Sequence, residues 1–243
     1  MKILGVIPAR YQSSRMPGKP IADVCGKPMI WWVYKQALMC EKLDDVVIAT
    51  DDQRIFDVCK KYDMNALMTS DTHDTPTDRL CEVASKVEAD YYLMIMGDEP
   101  LVNKKAFELI LPEHEMRTSY VAALTNIITE PSEVIDFSNQ KVVTNSVGQA
   151  MLISRSPIPY PKGSLDIEYK KVTGIQLFSK EALKFYANSE KSALEKAEEN
   201  DLMRFIENDI KVDMIPSCYK TISVDTPKDL ELVRKIIGEK SGE

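Results

Sequence analysis

The segment Pro8–Pro20 carries three cations, Arg10, Arg15 and Lys19, together with Ser13, Ser14 and Gly18. A guanidinium offers a planar fork of donors that matches phosphate oxygens, an ammonium adds a point charge, and glycine lets backbone N–H groups approach closely. Such a loop suits a phosphate chain, although the same composition also fits a solvated basic loop. It is not a Walker loop, because Gly18-Lys19 is followed by Pro20, and there is no G-x-G-x-x-G dinucleotide fingerprint. Further on, Gly97-Asp98-Glu99-Pro100 sets two carboxylates behind an apolar run, and Asp225 follows another. Carboxylates are the hard oxygen donors that Mg²⁺ takes, alongside water and substrate phosphates. Each also has a plainer reading: the first as a turn and helix cap, the second as an ordinary helix start at Asp225-Thr226-Pro227. Two carboxylates opposite a cationic loop together predict a metal–triphosphate site.

These residues need strands to bring them together. Ile3–Ile7, Val46–Thr50 and Tyr91–Met96 are continuous apolar runs of the kind buried on both faces of a parallel sheet. Between them, helical spacing appears at Met29–Leu38, at Ile55, Val58 and Cys59, and at Leu80–Val87. Strand, helix, strand, helix, strand predicts an α/β fold with a mainly parallel sheet. Ligands in such sheets sit at the carboxyl ends of the strands, where the Pro8 loop, Asp51-Asp52 and Asp98-Glu99 would gather. The middle of the chain differs. Val121–Leu124, Val142–Thr144 and Ala150–Ile153 are short, with a turn at Asn145–Gly148, and predict antiparallel pairing. Ser156–Pro161 contains three prolines and is expected to be irregular. Helices are expected from Lys180 and from about Leu194. The chain should close with a strand at Ile222–Val224 and a helix from Pro227 to Ile237.

Composition narrows the function. The 38 acidic and 31 basic side chains leave a net charge of -7 over 243 residues, which argues against a binder of nucleic-acid polymers. A single nucleotide needs only a few local cations and stays open. With 44% hydrophobic and 28% charged residues, the chain reads as globular. The five cysteines are odd in number and have no paired short spacing, so neither a disulfide framework nor a zinc site is predicted. No apolar stretch reaches the roughly 18 residues of a membrane span, and the apolar start is too short for a signal peptide. A cytoplasmic location is expected.

Read as a set, seven ordered motifs resemble those of the sugar-acid cytidylyltransferases, in particular the branch acting on 3-deoxy-D-manno-octulosonate (Kdo). They are PAR-x-x-S-x-R-x-P-G-K-P at Pro8–Pro20, G-K-P-M-I at Gly26–Ile30 and A-T-D-D at Ala49–Asp52. Thr77-Asp78-Arg79, Gly97–Pro100, Ser154–Tyr160 and Val224–Pro227 continue the resemblance almost to the end of the chain. It implies a three-layer, Rossmann-like nucleotidyltransferase fold in one domain, residues 1–243. It also implies an antiparallel dimerisation element at 119–163 and a homodimer. The implied reaction moves a cytidylyl group from CTP to the anomeric hydroxyl of Kdo with Mg²⁺, giving CMP-Kdo and pyrophosphate for lipopolysaccharide or capsule. Carried over by residue, Arg10, Arg15, Lys19 and Asp98 would be catalytic. Pro8, Ala9, Thr77 and Arg79 would join them in binding CTP, and Asp98 and Asp225 would hold the metal. Arg155, Gly174 and Gln176 would face the sugar.

Three positions depart from the family pattern: Met96 replaces a Gln before Gly97, Thr75-Pro76 replaces Ser-Gly, and Val172 and Gln176 replace His and Tyr in the sugar wall. Phosphate and metal positions are kept while acceptor-side groups change, which points to Kdo or a related acid such as 8-amino-Kdo or another ulosonate. His73 falls at the family's His, where a structural role competes with a functional one. Two other function classes compete with this reading. A glycosyltransferase with an acidic metal turn leaves the Arg10–Lys19 loop without a purpose. A non-catalytic member of the fold would not need Asp98 and Asp225.

Overall fold

The computed structural model describes residues 1–12, 16–116, 118–164 and 166–241. The chain begins with β1 (Ile3–Ala9), a small hairpin of β2 (Asp23–Val24) and β3 (Lys27–Pro28), and α1 (Met29–Leu38). Then follow β4 (Asp45–Thr50), α2 (Gln53–Lys61), β5 (Ala66–Met68), α3 (Pro76–Lys86), β6 (Tyr91–Ile95) and α4 (Lys104–Ile110). The second half runs β7 (Val121–Ile127), α5 (Pro131–Ile135), β8 (Lys141–Thr144), β9 (Ala150–Ser154) and β10 (Lys170–Ser179). It closes with α6 (Lys180–Asn188), α7 (Ala193–Glu198), α8 (Leu202–Glu207), β11 (Val212–Pro216) and α9 (Pro227–Ser241).

The main sheet has the order β11-β7-β10-β6-β1-β4-β5, with β8 paired to β10 and β9 to β8. The β1, β4 and β6 strands are parallel to one another, as their unbroken apolar runs predict, and β5, which no such run announced, adds a parallel edge strand beside β4. Antiparallel β10 is wedged between β6 and β7. Side chains alternate across the sheet, so each strand feeds two cores. Ile7, Ile48, Leu93 and Leu177 pack under α1, α2 and α4, while Val6, Val47, Met94 and Phe178 pack under α3, α6 and α8. Two helical layers on one sheet give the expected three-layer α/β architecture.

The antiparallel hairpin expected around Gly148 is present as β8–β9, with Gly148 at φ 81°. Other expectations need correction. Ile222–Val224 is not a strand; Val224 instead packs with Val24, Leu230 and Val233, tying α9 to the β2–β3 hairpin. The strand before α9 is β11, on the far edge. Helix α3 starts earlier than its apolar spacing suggested. Thr75 and Asp78 form a reciprocal capping box ahead of Pro76, the arrangement that satisfies two orphan N–H groups at a helix start.

Candidate active site

Because β1, β4 and β6 are parallel neighbours, the segments that leave their carboxyl ends emerge on one edge of the sheet. The turn after β6 is pressed against β1: a Cβ added to Gly97 would lie 3.1 Å from the Pro8 carbonyl oxygen. The loop after β1 folds back on itself, with the Gly18 N–H donating to the Tyr11 carbonyl at 2.8 Å and Gly18 at φ 72°. That return delivers Lys19, which is buried, into the same edge. Its Nζ lies 2.7 Å from Asp98 Oδ2 and 3.4 Å from Asp225 Oδ1. Asp225 arrives from the other end of the sequence, and the Val224 N–H donates to the Asp98 carbonyl at 2.9 Å. Asp229 caps this start of α9 by accepting from the Asp225 and Thr226 N–H groups and the Thr226 hydroxyl. Burial opposes ionisation of Asp229, but these donors win and hold its carboxyl below the usual range.

Beside this triad lies a cleft of about 970 Å³ whose wall includes Arg10, Tyr11, Asp51, Asp52, Arg54 and His73. Carboxylates in this wall would repel an anionic ligand, and Asp51 and Asp52 are each paired with a guanidinium. Asp52 accepts from Arg54 Nε and Nη2 at 2.9 and 2.7 Å, which holds its carboxyl low. Asp51 accepts from Arg79 Nη2 at 2.7 Å. Arg54 also stacks its guanidinium 3.3 Å above the centre of the Tyr11 ring.

Glu99 differs from its neighbour Asp98. It is 5% exposed, and burial, then the charge of Asp98, push its carboxyl up to about 8. At neutral pH it is therefore largely a neutral acid.

Several predicted residues are gathered here and others are not. Pro8 and Ala9 end β1, Arg10 is exposed on the cleft wall, and Lys19, Asp98 and Asp225 converge. Arg15 lies outside the described residues. Thr77 and Arg79 sit in the first turn of α3, both buried. Thr77 N–H donates to Asp201 Oδ2 at 3.4 Å, and the Arg79 guanidinium is spent on Asp51, the Thr69 hydroxyl and the Ser70 carbonyl. Through Asp51, Arg79 braces the cleft wall from behind.

Arg155 is turned away from the triad. Its guanidinium donates to the carbonyls of Glu198, Phe137 and Glu199, and its own carbonyl accepts from buried Lys141. Gly174 is close to the site, since its carbonyl accepts from Met96 N–H at 3.1 Å. Gln176 follows two residues later on the same face, its Oε1 enclosed and without a hydrogen-bond partner among the described residues. His73 bonds Glu82 at the cleft rim.

Sequence reasoning passed over the Tyr11–Arg54–Asp52 stack, and it grouped Glu99 with Asp98 as a metal-type carboxylate, whereas Glu99 is buried and bonded to Ser223. The stack had a legible signal, Asp52 as N-cap two residues before Arg54. Among the described residues no group of three or more His, Cys, Asp or Glu converges. Two carboxylates with room for phosphate oxygens nonetheless fit Mg²⁺, which needs few protein ligands.

A cytidylyltransferase family model matches residues 4–212. A 3-deoxy-manno-octulosonate cytidylyltransferase of Escherichia coli is 38% identical over 243 residues, covering 100% of this chain and 98% of the relative. One from Solibacter usitatus is 36% identical over 237 residues, covering 97% and 94%. Among solved structures, CMP:2-keto-3-deoxy-manno-octonic acid synthetase complexed with CTP superposes with a TM-score of 0.93 at 38% identity, over 99% of this chain and all of that one. A glucose-1-phosphate thymidylyltransferase structure from Bacillus anthracis, at 17% identity and a TM-score of 0.70, shares the fold. With a parallel-strand edge that brings Lys19, Asp98 and Asp225 together, and with relatives matched end to end, this chain belongs to the cytidylyltransferase family and is a nucleotidyltransferase.

Proposed function

We propose that this enzyme transfers the cytidylyl group of CTP to the anomeric hydroxyl of Kdo, releasing pyrophosphate and supplying CMP-Kdo to lipopolysaccharide or capsule synthesis. The observation that carries the reading is the Lys19–Asp98–Asp225 triad at the carboxyl edge of β1 and β6. The sugar oxygen attacks the α-phosphorus, the new P–O bond forms, and the bond to the β-phosphate oxygen breaks. Arg10 and Arg15 hold the triphosphate, and Lys19, freed towards phosphate, neutralises charge on the leaving pyrophosphate. Asp98 and Asp225 would hold Mg²⁺, which supplies Lewis-acid charge to the phosphoryl oxygens when bound. Binding both substrates in line removes much of the remaining barrier. No nucleophilic side chain is required.

On the acceptor side, the Gly174 carbonyl accepts from Met96 N–H just before the acidic turn, and Gln176 lies further along β10, opposite Met94. The departures at Met96, Val172 and Gln176 favour screening 8-amino-Kdo and other ulosonates beside Kdo. Arg155 reaches a sugar only by leaving its three carbonyls, so we assign it first to bracing the loop. The segment 119–163 exposes Ile135, Phe137, Met151 and Tyr160, and burying such side chains against a second copy supports a homodimer. A monomeric mass by light scattering at micromolar concentration would count against it. Among the described residues no helix is long and apolar enough to cross a membrane. Dependence on CTP places the reaction in the cytoplasm.

The test is pyrophosphate release from CTP and Mg²⁺ with a panel of ulosonic acids, using the wild type and Asp98→Asn. Release with Kdo that the variant abolishes, while its circular dichroism stays native, supports the reading. Tight CTP binding without release for any acid would favour a non-catalytic member of the fold.

A further inference from the structure

Glu99 makes contacts that join three separate parts of the chain. It directly follows Asp98 at the end of β6. Its Oε1 accepts from the Ser223 hydroxyl at 3.2 Å, two residues before Asp225. The Gly174 backbone lies directly against the same carboxyl. On the backbone, Val224 N–H donates to the Asp98 carbonyl and Met96 N–H to the Gly174 carbonyl. Side-chain and main-chain rungs therefore run in parallel between the same segments. The fit is close: a Cβ on Gly174 would come within 2.7 Å of Glu99 Oε1 and 2.6 Å of Met96 Cγ. Gly174 is thus required by packing, whatever it does for a sugar.

A buried carboxyl is a costly way to fill space. Its Oε2 has no hydrogen-bond partner among the described residues, and an unsatisfied buried polar atom destabilises. An apolar side chain of similar size would avoid that cost but could not bond Ser223. What the carboxyl achieves is a fixed distance between two sequence-remote segments that each carry an acidic residue of the site.

We infer that Glu99 is a positioning residue: its buried carboxyl clasps the Ser223–Asp225 segment and the Gly174 bend to the end of β6, and so fixes the separation of Asp98 and Asp225. The clasp acts through hydrogen bonds and shape, and a neutral amide of the same outline should replace it. It rests on the proposed metal role of that pair.

The test is Mn²⁺ binding with CTP and no sugar acid, followed by water-proton relaxation, so that no turnover is needed. Glu99→Ala should weaken Mn²⁺ binding about tenfold or more, as loss of a group that orients a metal ligand does, while Glu99→Gln stays close to wild type. Ser223→Ala should shift it in the same direction by less. Wild-type affinity in Glu99→Ala, or equal weakening in Glu99→Gln, would overturn the clasp. If Glu99→Ala fails to fold by circular dichroism, Ser223→Ala decides, and unchanged affinity there overturns it as well. A wild type whose relaxation signal survives Asp98→Asn removes the metal role and the clasp with it. A signal that needs Asp98 but ignores Glu99 removes the clasp alone.

Discussion

Lys19 Nζ lies 2.7 Å from Asp98 Oδ2, and both side chains are largely withdrawn from solvent. The pair closes a loop of 79 residues in sequence and brings the cation of the first loop to the acidic turn of β6. An ammonium in that position both neutralises the acidic pair and stands within reach of an incoming phosphate. Lys19→Met keeps the stem packed but removes the charge. It should lower kcat/KM for CTP by about 100-fold or more, the usual effect of deleting one donor to developing charge. Activity within a fewfold of wild type would remove Lys19 from the chemistry.

Arg79 and Asp51 form the brace behind the cleft, with side chains 5% and 16% exposed. Breaking a buried pair strands its partner's charge. Arg79→Met should cost about 3 kcal/mol of unfolding free energy, read from denaturant midpoints at unchanged slope. The double variant with Asp51→Asn should cost less than the sum of the single changes. Strict additivity would show that the two groups do not act as a pair.

How much of this was legible in the sequence varies with range. The runs Ile3–Ile7, Val46–Thr50 and Tyr91–Met96 announced β1, β4 and β6, and with them the edge where Lys19 and Asp98 meet. Motif order then supplied Asp225. The capping box Thr75-x-x-Asp78 was also readable and fixes the phase of α3, which turns Arg79 inward with Leu80 and Val83. Central β10 was not foreseen, because Lys170-Lys171 and Gly174 interrupt its apolar pattern and its pairing with β7 is irregular between Val172 and Gln176. Ile222–Val224 reads as a strand by composition, yet its apolar side chains serve α9 packing. Arg155 shows the limit most clearly: its carbonyl partners lie 18, 43 and 44 residues away, and no local pattern announces contacts at that range.

Glu82 gives a pH signature. Burial pushes its carboxyl up, but the Lys86 ammonium, the Ser70 N–H and His73 outweigh burial and bring it to about 2, against an ordinary 4.5. A carboxyl held below its unfolded value contributes stability that is present above the unfolded value and lost as pH falls through the folded one. Glu82→Gln should therefore lower Tm at pH 7, and its deficit relative to wild type should shrink between about pH 4.5 and 2. A deficit that stays constant across that window would show that the contacts, rather than the ionised carboxylate, carry the effect.

The Tyr11 ring is held by two groups, and the consequence is kinetic. The Arg54 guanidinium stacks on it, itself fixed by two bonds to Asp52. A Cβ at Gly18 would also meet the ring at 3.1 Å, so the return of the loop after β1 towards Lys19 packs directly on Tyr11. Arg54 is consumed by Asp52 and the ring, so it acts on the nucleotide through loop placement. Lysine cannot supply the planar stack. Arg54→Lys should raise KM for CTP by roughly two- to fivefold, the scale of an exposed cation–π contact, with kcat little changed because bound substrate and transition state lose equally. Tyr11→Phe keeps the ring and should match wild type, whereas Tyr11→Leu should behave like Arg54→Lys. Equal effects of the Phe and Leu changes would mean that the hydroxyl, not the stacked face, holds the loop.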